Sequence, residues 1–345
     1  MHLARRAWCR TYQTVFRIAL PVLPYTEPRI LEHAEDVPAV LQKRSIQKVL
    51  IVTDPGIARL GLTAPLETAL ACRGIGVTVY AETRANPTVS NVEEAASLYR
   101  ESACQAIIGF GGGSAMDCAK GVGARIAQPN KPINKMRGLL RVHRRLPLLI
   151  AVPTTAGTGS EVTLAAVITD DETHYKYPIN DFVLIPRFAV HDPEFTRGLP
   201  ASVTGQTGMD ALTHAVEAFI GRSTTPYTRK MARQAVQLIR AICSRPMSTA
   251  TIYVRVATCF RRRIRQALRL PAPMSDMCMP LRTVWAADTE FRTVWPTRSS
   301  CRTCFALMVT PPPPSLPILL AWRAWRRLPR RIVLRPRPLS IGSTA

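Results

Sequence analysis

Residues 240–345 contain no lysine, no histidine, no asparagine and a single glycine. A folded segment of this length needs glycine and asparagine where its backbone turns through positive φ, so their near absence excludes an ordinary compact domain there. Acids are almost missing as well: Asp276, Asp288 and Glu290 stand against 19 arginines, a net charge of +16. No run of 18 apolar residues occurs anywhere, which excludes a membrane-spanning helix and predicts no membrane partner. The opening stretch, MHLARRAWCRTYQTVFRIALPVLPY, lacks a clean apolar core and a cleavage site, so no secretory signal is expected. The nine cysteines show no paired spacing, which argues against a disulfide framework and predicts reduced thiols in a cytoplasmic protein. Cys301 and Cys304 form a lone CxxC without a second pair, too little for a zinc site.

What is present divides the chain in two. The whole-chain charge of +23 suggests a polyanionic partner, but residues 1–239 carry 27 Lys+Arg and 20 Asp+Glu, a net of +7 that is unremarkable for an enzyme. From Val37 onward short apolar runs alternate with helical patterns. KVLIVTD (48–54), GVTVYAET (76–83), QAIIGFGGGS (105–114) and LPLLIAVP (146–153) read as strands; PLETALACRG (65–74), NVEEAASLYRES (91–102) and SAMDCAKGVGARIA (114–127) read as helices. The second of these helices is expected to be capped by Asn91 with acids in its first turn. Strand–helix alternation predicts an α/β fold, a parallel sheet covered by helices on both faces. A β-rich stretch follows over 162–190, and 202–239 reads as helical with no period beyond Arg240.

Four places carry chemistry. Gly111-Gly112-Gly113-Ser114, with Asp117 one turn on, sits between a strand and a helix; glycines admit a phosphate and the helix N-terminus offers N–H donors, though a tight turn needs the same residues. Thr154, Thr155 and Thr158 lie in a small-residue loop after another strand, suited to ribose, phosphate or carboxamide, or simply to a polar loop. Asp54 ends a strand, where a carboxylate accepts from adenosine ribose hydroxyls and repels a 2′-phosphate, or else forms a turn. Asp210 and His214 are four apart on an expected helix, one face able to hold a cation or a surface ion pair.

GGGSAMDCAK, PTTAGTGSEVT and GMDALTHAVEAF, in this order, resemble the iron-dependent (group III) alcohol dehydrogenases, with likeness running from about residue 15 to 239. The resemblance implies a Rossmann-like NAD-binding domain over 1–200, the first part of an all-helical metal-binding domain over 201–239, and an irregular tail over 240–345. It implies NAD as cofactor, with Gly112, Gly113 and Ser114 at the pyrophosphate, Asp54 at the adenosine ribose, Asn86, Thr154, Thr155, Thr158 and Lys176 along the rest, and Asp117 also among the cofactor-binding residues. It implies Fe²⁺ or Zn²⁺ on Asp210 and His214 as a Lewis acid for a small alcohol or aldehyde substrate, and a homo-oligomer.

Two further histidines of the family's G-Y-x-H-A-x-A-H…P-H-G motif are missing, since no His follows His214 in this chain, so no catalytic set is intact. Shifting the frame one nucleotide earlier across Ser275–Pro280 admits Gly-Tyr-Val-His-Ala. The same shift forces Gly at the Trp285–Ala286 junction and admits Pro-His-Gly-Leu across 291–295. A frame slip near Arg240 therefore explains the Arg- and Pro-rich tail. Its segments FRRRIRQALR (260–269) and WRAWRRLPRR (322–331) suit non-specific phosphate contact, and no specific nucleic acid partner is expected.

Overall fold

The computed structural model describes residues 26–220 and 226–243. The tail over 244–345, with its expected irregularity, and the opening 25 residues lie outside the described residues.

A six-stranded sheet forms the scaffold. Its strands are β1 (Arg29–Leu31), β2 (Lys48–Val52), β3 (Gly76–Tyr80), β4 (Ala106–Gly111), β6 (Leu148–Pro153) and β9 (Phe188–Val190), in the order β1-β9-β6-β4-β2-β3 with every pairing parallel. β1 precedes the point at which the sequence pattern was expected to begin; three residues are too few to show a period. A second sheet, β5 (Gly138–Leu139), β8 (Lys176–Asn180) and β7 (Ala165–Thr169), pairs parallel then antiparallel.

Strands buried on both faces show no polar alternation in sequence, yet their side chains sort by parity. Val49, Ile51, Ala106 and Ile108 face one layer with Leu41 of α1 (Val37–Gln42) and Leu66 and Leu70 of α3 (Ala64–Ala71). Leu50, Val52 and Ile107 face the other, with Val92, Ala95 and Tyr99 of α4 (Val89–Glu101) and Cys118, Ala119 and Val122 of α5 (Gly113–Ala127). Helices thus cover both faces, as the alternation predicted. Between β2 and α3 lies the one-turn helix α2 (Pro55–Arg59). α3 ends in a left-handed glycine, Gly74 at φ +71°, with Gly74 N donating to Ala71 O and Ile75 N to Leu70 O.

The start of α4 differs from expectation. Thr88, not Asn91, is the N-cap; its hydroxyl accepts from Asn91 N, while the Asn91 side chain accepts from Thr88 N. Asn91 therefore occupies the reciprocal position of a capping box. The helix begins two residues earlier than its polar signature suggested, so Glu93 and Glu94 fall beyond the first turn. The stretch 202–239 is two helices rather than one: α7 (Ala201–Ile220), which follows the short α6 (Glu194–Arg197), and α8 (Pro226–Cys243), which runs past Arg240. Pro226 at the start of α8 breaks the period. Met231, Ala232, Ala235, Val236 and Ile239 form its buried face. No helix among the described residues is long and apolar enough to cross a membrane.

Candidate functional site

The chain leaves β2 to β3 on one side and returns to β4 on the other, so the sheet reverses direction of growth between β2 and β4. Open parallel sheets bind ligands in the crevice at the carboxyl ends of such strands. Two of the expected loops meet there: Asp54 follows β2 and the glycine turn follows β4. A Cβ on Gly111, whose φ is +148°, would lie 3.5 Å from Asp54 Oδ2 and 2.8 Å from the Ala115 Cβ, so the close approach requires glycine.

Asp54 performs the turn-forming role. Its Oδ1 accepts from Gly56 N at 2.9 Å and Ile57 N at 3.0 Å, capping α2. α5 is built differently. Its N-cap is Gly112, no side-chain cap is present, and no acid lies in its first turn, so the leading N–H groups of this 15-residue helix face the crevice without an internal acceptor. Asn86, in a left-handed conformation at φ 64°, donates its backbone N–H to Ser114 Oγ at 3.2 Å, leaving the Ser114 hydroxyl hydrogen to donate outward.

The threonine loop comes from β6, the parallel neighbour of β4, and closes the other side. Thr154 N donates to Gly111 O at 3.0 Å. A Cβ on Gly112 would stand 3.6 Å from Thr155 Cγ2, and one on Gly113 only 2.9 Å from Thr158 Cγ2. Gly112, Gly113, Ser114, Asn86, Thr154, Thr155 and Thr158 are thereby brought to one edge of the sheet, with Asp54 beside them. Lys176 starts β8, exposed and opposite Thr169; Thr169 in turn bridges Thr88 and donates its N–H to Pro87 O at 2.8 Å, so Lys176 stands beyond the Asn86 turn. Asp117 points elsewhere. Its Oδ1 accepts from Ser160 Oγ at 2.6 Å and its Oδ2 from Val167 N at 3.1 Å, two bonds that tie it to the scaffold behind the loop.

That scaffold holds residues the motifs alone did not single out. Lys120 is completely buried, and its ammonium donates to the carbonyls of Ser160 (2.7 Å), Thr163 (3.0 Å) and Ala165 (2.8 Å) and to the Ser160 and Thr163 hydroxyls (3.0 Å each). Burial lowers it to about 8 from 10.5, while Asp117 and Glu161 pull it upward. Glu161 and His191, both buried, pair at 3.7 Å. The signal for Lys120 was present: it is the lone cation on a helix face otherwise made of small apolar residues. Cys118 on the same helix is buried and its thiol pushed up to about 12, out of reach of ordinary chemistry.

On α7, Asp210 Oδ1 lies 3.6 Å from His214 Nε2, both partly exposed, so the four-residue spacing does place them side by side. Gly157 of the threonine loop abuts the same helix: a Cβ there would lie 2.5 Å from Thr207 O.

Known proteins share this architecture. The family model for iron-containing alcohol dehydrogenase matches residues 30–193, and that for the C-terminal part of the same family matches 204–250. Alcohol dehydrogenase 4 of Schizosaccharomyces pombe is 39% identical over 205 residues, 59% of this chain and 48% of the relative. The solved alcohol dehydrogenase from Oenococcus oeni superposes with a TM-score of 0.66 at 30% identity, covering 72% of this chain and 67% of its own. Sulfoacetaldehyde reductase from Bifidobacterium kashiwanohense, solved in complex with NAD⁺, gives 0.60 at 27% identity over 71% of this chain and 65% of its own. The chain belongs to the iron-containing alcohol dehydrogenase family. It spans about half the length of the curated relatives it matches.

The family likeness continues to residue 250, beyond the boundary at Ile239 expected from composition. The family's metal, however, does not fit the donors at hand. Among the described residues no group of three or more His, Cys, Asp or Glu could hold an ion, and Asp210 with His214 supplies two donors where catalytic sites use at least three.

Proposed function

We propose that this chain binds NAD at the β2–β4 crevice and derives from an enzyme that moves hydride between a small alcohol and NAD, and that in this chain turnover is lost or severely reduced. The observation that carries the proposal is the N-terminus of α5, without a side-chain cap and roofed by the threonine loop at the reversal point of the sheet. A pyrophosphate there accepts N–H bonds from 113–115 and the Ser114 hydroxyl. Thr154, Thr155 and Thr158 face the rest of the dinucleotide, with Asn86 and Lys176 along its outer edge. Asp54 keeps Oδ2 toward the glycine turn, a carboxylate that favours the ribose hydroxyls of NAD over a 2′-phosphate. The NAD⁺ complex of a structural relative supports the cofactor. Impairment follows from the two-donor Asp210–His214 pair.

Calorimetric titration with NAD and NADP, and NADH formation from short alcohols with added Fe²⁺, test both halves. NAD binding with little turnover is expected. Family-like rates would overturn the impairment, and absence of NAD binding would overturn the site.

A second reading, a working dehydrogenase whose recorded tail carries a one-nucleotide slip, is favoured by the shifted-frame motif across 275–296. The change of composition at Arg240 and the end of the family match at residue 250 bracket the slip. The nucleotide sequence across these codons and the mass of the native C-terminus separate the two.

A further inference from the structure

The threonine loop is held from behind by two residues of α5. Asp117 grips Ser160 Oγ and Val167 N; Lys120, one turn later, takes all five of its acceptors from residues 160–165. An ammonium has three N–H groups for these five oxygens, so the bonds are shared. Three of the oxygens are backbone carbonyls turned toward a single point. Carbonyl dipoles converging in a buried space repel one another unless a positive charge sits at their focus, and unpaired buried carbonyls are costly. A neutral side chain of the same length would leave them converging on nothing. Residues 160–165 directly follow Thr154–Thr158, and Thr158 is the side chain that meets Gly113.

We propose that Lys120 is a positioning residue for the cofactor: its buried charge draws residues 160–165 onto α5 and so sets Thr154, Thr155 and Thr158 against the glycine turn. The inference rests on the NAD-binding reading above. Lys120 touches no cofactor atom and acts through the loop. The charged groups that face it are Asp117 on its own helix and Glu161 from the loop, with His191 behind Glu161.

Geometry and proton linkage give opposite signs, and that separates positioning from support of the fold. Lys120 falls to about 8 in the folded chain against an ordinary 10.5, so between these values its own contribution to stability rises with pH, while the raised thiols of Cys104 and Cys118 oppose it above about 9. Over the same window the folded protein loses the ammonium that anchors the loop, so NAD affinity falls. A lysine that only supported the fold would change stability over this window and leave the NAD affinity of the folded protein unmoved.

The test uses the full chain, with NAD affinity by titration calorimetry, unfolding by urea, and amide exchange over residues 154–165. Each is measured at neutral pH and well above the Lys120 value. In wild type, NAD affinity is expected to fall and loop exchange to quicken as pH rises, while the pH slope of global stability is expected to be more positive than in Lys120→Met. Lys120→Met removes the ammonium and keeps the stem; it is expected to weaken NAD about tenfold at neutral pH and to abolish the Lys120-dependent pH response. Leu66→Ala, on the opposite face of the sheet, lowers stability without touching the loop and is expected to change NAD affinity less than about twofold. Wild-type affinity in Lys120→Met, unchanged loop exchange, or an equal loss in Leu66→Ala overturns the proposal. If Lys120→Met does not fold, the wild-type pH series decides alone. If wild type binds no NAD, the site itself fails, while loop exchange still reports whether Lys120 holds the loop.

Discussion

Gly113→Ala tests whether the two loops of the crevice meet in solution as they do in the structure. The added Cβ would lie 2.9 Å from Thr158 Cγ2, 3.2 Å from its Cβ and 3.3 Å from its Oγ1. Carbon atoms pack at about 3.5–4.0 Å, so the loops must part by roughly 0.6 Å. Because the Thr158 Cβ is itself too close, rotating that side chain does not relieve the contact. Overpacking of this kind costs about 1–3 kcal/mol, and exchanging glycine for alanine near a helix start returns about 0.5–1 kcal/mol. The expected net loss is about 1 kcal/mol, or roughly 2–4 °C in midpoint for a domain of this size. Thr158→Ala removes two of the three crowded atoms, so Gly113→Ala with Thr158→Ala should recover most of that loss, a coupling of about 1 kcal/mol in a double-mutant cycle read by urea unfolding. NAD affinity should drop in Gly113→Ala, since the N–H groups of 113–115 move away from the threonines. Strict additivity, with Gly113→Ala as stable as wild type, would show that the loops do not touch and would remove the basis for the anion site.

Asp54→Ala should lose the α2 cap, about 1 kcal/mol by urea unfolding, and weaken NAD relative to NADP; unchanged stability would mean the two short bonds to Gly56 and Ile57 are not made. Metal analysis of purified protein should find well under one iron or zinc per chain, and His214→Ala should not change that content; a full equivalent lost on His214→Ala would contradict the two-donor geometry. Exposed Cys72 should react rapidly with a thiol reagent, while buried Cys104 and Cys118, both raised by burial, stay unlabelled until unfolding; peptide mapping of the label decides it.

The parallel sheet was legible because β2, β4 and β6 are uninterrupted apolar runs followed by turn residues, and because α5 begins directly after the glycines. The site residues were legible as motifs, yet their roles divided on geometry that no spacing encodes. Asp54 and Asp117 are both acids beside a glycine turn; one caps a helix at the mouth of the crevice, the other faces backward to Ser160 and Val167. The role of Lys120 is not legible from its own helix, since the five oxygens that surround it lie 40 to 45 positions away in sequence. The start of α4 was misplaced because Asn91 is a strong N-cap residue type, and only the reciprocal bond from Thr88 shows that it sits inside the first turn.

The contact at Gly157 brings the threonine loop close to the helix that carries Asp210 and His214. Thr207, Asp210 and His214 stand at i, i+3 and i+7 on α7, which puts them on one face of that helix. Thr207 is the residue whose carbonyl crowds Gly157, so the face that carries the carboxylate and the imidazole is the face turned to the threonine loop. A side chain at position 157 would wedge the helix from the loop. On α7 the carboxylate of Asp210 and the imidazole of His214 stand side by side, and α8 buries an apolar face through Met231, Ala235 and Ile239. Past α8 this sequence offers no histidine in its own frame, while the one-nucleotide shift admits the family's histidine motif.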